Sequence, residues 1–241
     1  MIKFFRKIRQ RLLSENKFSK YLLYAVGEIV LVVIGILIAL SINNWNEERN
    51  ERNRLFNVYS LIAVDLSNDI KSIDEIRLFY ATKKELYPKV LSDSLTKKDY
   101  QENDALLNLI ISYPDFKITT RGFELLKDFE DSRQFGTDTL DNQIVNLYTH
   151  FKNEVEVDVD LLSVDSRDNI YYWKNNCDWW EGYFNNDPEG FIAYAVSSQD
   201  YQNRVTSNYV AHYGVYLPNL LNFQEEAKSV LRNIENTMKL K

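Results

Sequence analysis

The side chains best suited to chemistry are few. The 241 residues include two histidines, His150 and His212, and one cysteine, Cys177. His150 and Glu154 stand at i, i+4, on one face of any helix, and two ligands at that spacing can begin a metal site; Asp158 extends the row. The same residues equally suit the solvated face of a helix whose core side is Leu147, Phe151 and Val155, and this reading is preferred. The Glu-x-x-His pattern of di-metal bundles is absent, because the positions three before each histidine hold Leu147 and Tyr209. Glu154, Glu156, Asp158 and Asp160 resemble a calcium loop only in charge, since an EF-hand needs a central Gly and a closing Glu, and neither fits. No G-x-S-x-G, P-loop or G-x-G-x-x-G is present. Cys177 has Asp178 beside it and no base closer than Lys174, a poor setting for a thiolate. A lone Cys also forbids an intrachain disulfide or a cysteine zinc cluster. The expectation is a chain with no catalytic residues, no metal and no cofactor.

A second constellation is aromatic. Tyr171, Tyr172, Trp173, Trp179, Trp180, Tyr183 and Phe184 crowd into 14 residues. Such a cluster forms core near the end of a helical bundle, an exposed contact patch, or the lining of a small-ligand pocket. Core is the preferred reading. Tyr172, Trp173, Trp179, Trp180 and Tyr183 are the candidates for a contact or ligand patch.

What positions these groups begins at the N-terminus. Tyr21–Ile42 has 22 residues and one charge, Glu28. At 1.5 Å per residue it is roughly 33 Å long, enough for a hydrocarbon core of about 30 Å. It is expected to be a transmembrane helix. A cleaved signal peptide is the rival, because Ala39-Leu40-Ser41 has small residues at the cleavage offsets; retention is preferred, because the apolar run is longer than is usual for one. Seven cations lie in residues 1–20 against one acid, Glu15, while Arg49, Arg52 and Arg54 follow the span. The richer side stays in the cytoplasm, which places residues 43–241 on the far face of the membrane.

Residues 2–13 are amphipathic at helical spacing. Phe5, Ile8 and Leu12 share a face suited to the cytoplasmic leaflet, and Trp45 marks the far interface. Within the span, Glu28, Val32, Gly35 and Ala39 fall on one stripe. Gly35-x3-Ala39 lets helices approach closely, and an acid on that stripe can hydrogen-bond across the contact. This suggests a face for self-association or for another membrane protein. The competing reading is an acid that snorkels to the cytoplasmic interface.

Residues 1–48, including Gly27-Glu28, the apolar run and Asn43-Asn44-Trp45-Asn46, resemble the opening of a family of uncharacterised single-span membrane proteins common in Bacteroidota, a domain of unknown function. A looser likeness lies at Gly122–Phe151, through Leu126-Lys127, the break Ser132–Thr137 and the aromatic residues Tyr148 and Phe151. The resemblance implies a cell-envelope location and a helical extramembrane domain, and with the charge bias the expected placement is a bacterial inner membrane with residues 43–241 periplasmic. It implies no activity.

The rest of the chain reads as all-α. Seven Gly and four Pro are too few for a many-stranded sandwich or barrel. Leu55, Tyr59, Ile62, Leu66, Ile70, Ile73 and Tyr80 step by helical periods, so the transmembrane helix is expected to run outward to about Tyr87, where Pro88 intervenes. A short helix over 98–112, a third through Phe123 to Phe129 capped by Thr119 or Thr120, and a long fourth from Leu140 to Trp173 follow. Glu154–Asp160 also alternates with strand period, but helix is preferred there. Asn185–Gly190 reads as a loop, and a last helix over Gln199–Met238 should kink at Gly214 or Pro218. The expected architecture is a basic segment 1–20, a transmembrane helix 21–42, and an antiparallel helical bundle 43–241.

The formal charge of −6 divides into +6 for residues 1–20 and −12 for the remainder. An acidic body excludes nucleic acid as a partner, and a basic tail beside an apolar run favours lipid headgroups. The expected function is a membrane-anchored scaffold or assembly factor. The alternative is a periplasmic ligand-sensing domain that signals through a partner.

Overall fold

A computed structural model describes residues 18–131 and 139–239, and every regular element among them is a helix. In order these are α1 (Phe18–Lys83), α2 (Leu86–Leu91), α3 (Lys97–Glu102), α4 (Asp104–Leu107), α5 (Arg121–Asp131), α6 (Thr139–Asn176), α7 (Trp180–Phe184), α8 (Glu189–Ser197), α9 (Gln199–Tyr209), a π-helical segment (Val210–Tyr216) and α10 (Leu217–Lys239). The chain divides into two compact units, Met1–Phe56 and Asn57–Lys241.

In the first unit, the described residues belong to α1. Among all the described residues, one helix is long and apolar enough to cross a membrane, and it is this one. The large apolar side chains from Ile29 to Ile38 are each 46–63% exposed, so no protein core covers them.

In the second unit, α1 buries Tyr59, Ile62, Leu66, Ile73, Ile76 and Tyr80, a stripe of three-, four- and seven-residue steps. The helix ends at Lys83, one turn before the expected Tyr87. Pro88 has no N–H for the Lys84 carbonyl and its ring would strike that oxygen. The chain therefore turns at Lys84-Glu85 and restarts as α2, where Pro88 falls in the first turn and needs no intrahelical acceptor. The expected single helix over 98–112 is two short ones. Thr96 and Asp99 form a capping box on α3, and extended Asn103 breaks the run, its side chain accepting the Ala105 N–H to cap α4. Residues 154–160 are helical within α6.

The expected Asn185–Gly190 loop closes two residues early, because α8 begins at Glu189. Gly190 serves packing there: a Cβ on it would lie 2.3 Å from Cβ of Trp179. Where a kink was foreseen at Gly214 or Pro218 stands the π segment, which contains Gly214 and ends two residues before Pro218. Wider π spacing fits a proline that cannot donate to the carbonyl of Gly214.

α6 packs on α10 and on the π segment, α9 on α2, and α8 on α3 and α7. One apolar cluster joins Tyr87, Tyr100, Ile110, Trp173, Phe191 and Tyr201.

Candidate functional site

Two buried acids of α1 hold the start of α5. The Asp65 carboxylate accepts the Gly122 N–H at 2.9 Å and the Arg121 guanidinium at 2.6 Å. Asp69, one turn on, accepts the Thr119 N–H at 2.9 Å and its hydroxyl at 2.8 Å. The first turn of a helix has N–H groups without intrahelical partners, and a carboxylate there meets the positive end of the helix dipole. Of the two expected caps, Thr119 does not serve, because its hydroxyl donates to Asp69, while Thr120 directly precedes the helix and its carbonyl accepts the Glu124 N–H. Burial raises the Asp69 pKa, opposed by the two bonds from Thr119. Gly122 is required by the approach: a Cβ would meet Ile62 side-chain and backbone atoms at 2.6–2.9 Å.

A second polar chain threads α2, α6, α9 and the π segment. Asp165 accepts from Asn208 Nδ2 at 2.7 Å and from Asn169 Nδ2 at 3.4 Å. Asn208 Oδ1 accepts from the Tyr87 hydroxyl at 2.7 Å. Arg204 donates to Asn169 Oδ1 at 3.0 Å and to Asp200 at 2.8 Å, and its guanidinium lies 3.9 Å from the Tyr172 ring centroid. Asp200 also accepts from the Tyr194 hydroxyl, which accepts from Trp173 Nε1 at 3.3 Å. Burial raises the Asp165 pKa despite the bond from Asn208. At Asp200 burial acts the same way, but the bonds from Arg204 and Tyr194 win and its pKa is lowered. His212 ends the chain. Its Nε2 lies 3.1 Å from Asn208 Nδ2, and burial, with Lys83 nearby, pushes its pKa down to about 4.

Of the predicted residues, Trp173 is fully buried and belongs to the core. Trp179 packs between Trp173 and Phe191 at centroid distances of 5.6 and 5.2 Å. Tyr183 packs on Phe191, and its hydroxyl donates to the Leu107 carbonyl at 3.2 Å and to Asn108 at 3.0 Å. The outward faces of the cluster are Tyr171, Tyr172 and Phe184, with Trp180 half-buried and its ring 4.7 Å from that of Phe184.

In α1, Glu28 is half-buried, while Val32 and Ala39 are exposed. A Cβ on Gly35 would meet nothing within 4 Å. Trp45 is exposed with the Arg49 guanidinium 5.8 Å from its ring centroid. Phe5, Ile8 and Leu12, and the break Ser132–Thr137, lie outside the described residues.

His150 and Glu154 are 4.0 Å apart and exposed to solvent. His150 borders an open groove of about 590 Å³ between α6 and α10, lined also by Gln143, Asn146, Phe151 and Asn233. The acidic row divides, because Asp158 is buried and accepts from Asn219 at 2.9 Å. Among the described residues, no three His, Cys, Asp or Glu side chains gather to hold a metal ion. Burial, reinforced by Asp200, raises the Cys177 thiol pKa.

The sequence reading missed the buried acids and the polar chain through Asn208. The signal was available for the acids: Asp65 and Asp69 sit at i, i+4 on the same stripe as Ile62, Leu66 and Ile73.

No curated protein and no solved structure matches the chain. A family model described as a family of unknown function (DUF6090) matches residues 28–122. That stretch runs from the acid in the apolar helix to the glycine at the start of α5, and so holds both sides of the Asp65 and Asp69 contacts.

Proposed function

We propose that the chain is a single-pass membrane protein whose helical domain acts through protein contacts, as a scaffold or assembly factor of the cell envelope, without catalysis of its own. The observation that carries this reading is the apolar helix bare on all its faces. A water-soluble monomer rarely exposes so large a contiguous apolar surface, and a lone helix satisfies its own backbone in lipid. The excess of cations before the span supports a cytoplasmic N-terminus and a periplasmic helical domain, arranged as an antiparallel bundle. Space beside Gly35 supports close approach of a second helix along Glu28, Val32, Gly35 and Ala39. Outside the membrane, Tyr172, Trp180 and their exposed aromatic neighbours offer a contact surface. The test is crosslinking in intact native membranes. Recovery of a self-dimer or one constant partner supports the reading, and recovery of neither counts against it.

A second reading, a ligand-sensing domain, draws support from the unpartnered buried donors near His212. A ligand-induced rise in melting temperature of the full chain in detergent would favour it.

A further inference from the structure

α6 and α10 run antiparallel, their register fixed by bonds from Asn233 Nδ2 to Gln143 at 2.8 Å and from Asn219 Nδ2 to Asp158 at 2.9 Å. The groove of about 590 Å³ lies between them. Gln143, Asn146 and His150 stand on its α6 wall, and Glu226, Ser229 and Asn233 on its α10 wall. Each set has the spacing i, i+3, i+7. Polar groups therefore recur along both walls about every helical turn of 5.4 Å, over roughly 10 Å. The register sets Asn146 opposite Ser229 and His150 opposite Glu226. The wall residues are exposed or half-buried, whereas the floor residues Leu147, Phe151 and Val230 are buried and apolar.

This lining selects by chemistry. A side-chain amide donates and accepts in one plane, so it can pair with two neighbouring hydroxyls, and Glu226 adds a pure acceptor. An anion is disfavoured, because the described lining holds a carboxylate and no Lys or Arg. A lipid chain is disfavoured as well, since six of the nine lining side chains are polar. An extended peptide repeats its same-face groups at about 6.6 Å, out of step with the walls. A chain of linked pyranose rings suits both surfaces. Its hydroxyls lie along the two edges, its C–H groups on the faces, and one unit is close to a helical turn in length.

We propose that this groove binds a neutral oligosaccharide of roughly two or three units, its ring edges hydrogen-bonded to the two walls and its C–H faces over Leu147 and Phe151. The site stands on the groove alone and depends on neither reading above.

The test is NMR of the full chain with labelled histidine rings, at fixed pH in a detergent without a sugar headgroup. Chitotriose, cellotriose, trialanine and inorganic phosphate are titrated separately. The chain has two histidines, and His150 lines the groove while His212 is buried elsewhere. A sugar should shift the His150 signal saturably and leave that of His212 in place. Asn146→Ala and Asn233→Ala should each weaken this binding roughly tenfold. Exposed Asn153→Ala, which does not line the groove, should leave it unchanged. Both asparagine variants truncate side chains outside the core, and an unmoved His212 signal confirms that they fold. No saturable His150 shift with either sugar, equal affinity in both variants, or a shift with trialanine or phosphate as strong as with sugar would overturn the proposal.

Discussion

The Asp65 carboxylate receives the Gly122 N–H at 2.9 Å, so a buried acid in the longest helix caps a helix that starts more than fifty residues later. Replacing Asp65 with Ala leaves that N–H buried without a partner. The expected loss is about 2 kcal/mol, with part regained in Asp65→Asn, whose amide oxygen still accepts. Urea unfolding of the full chain in detergent measures both variants.

Gly122→Ala tests the same contact from the other side. Its Cβ would press on the Ile62 backbone, which cannot swing away as a side chain tip can. We expect a cost of about 1–3 kcal/mol, comparable to overpacking elsewhere in protein cores. A smaller cost would mean that α5 slides freely on α1. Chemical denaturation, together with loss of amide protection near Gly122, checks this.

Gly190→Ala should disturb the aromatic cluster, because the new methyl falls on Trp179. The expected signature is a red-shifted tryptophan emission together with reduced stability. Unchanged emission would show that Trp179 yields at no cost.

The pH dependence has a definite sign. His212 has a folded pKa of about 4 against an ordinary value of 6.5, so the unfolded chain binds the extra proton between these limits. Stability from this residue is complete above about pH 6.5 and falls as pH drops towards 4. The loss is at most roughly 3 kcal/mol. Asp69 and Asp165 act in the opposite direction, because their raised values favour the folded state once they are protonated. His212→Asn should flatten the slope between pH 6.5 and 4 in a stability series. An unchanged slope would assign the dependence elsewhere.

Much of the helical plan was legible. The apolar steps through Tyr59, Ile62 and Leu66, and through Leu140, Ile144 and Leu147, marked faces that are buried. Where the reading strayed, the cause lay in contacts distant in sequence. Asp65 and Asp69 interrupt an apolar stripe, and a period alone cannot show that α5 waits opposite to use them. Gly190 resembled a turn residue, but its role is to let Trp179 approach. His212 was weighed only as a possible catalyst or ligand, since burial against Tyr80 depends on how the π segment meets α1. The aromatic run from Tyr171 to Phe184 could not reveal which of its rings turn inward, because α6 ends within it and the phase is lost.

The proposed function requires that Tyr21–Ile42 remain in the native protein as a lipid-embedded helix. Alkaline carbonate washing of native membranes, with mass spectrometry of the pelleted chain, tests it directly. An intact 28.5 kDa species is expected in the pellet. Release into the wash, or a product whose N-terminus lies near Ile42, would contradict it.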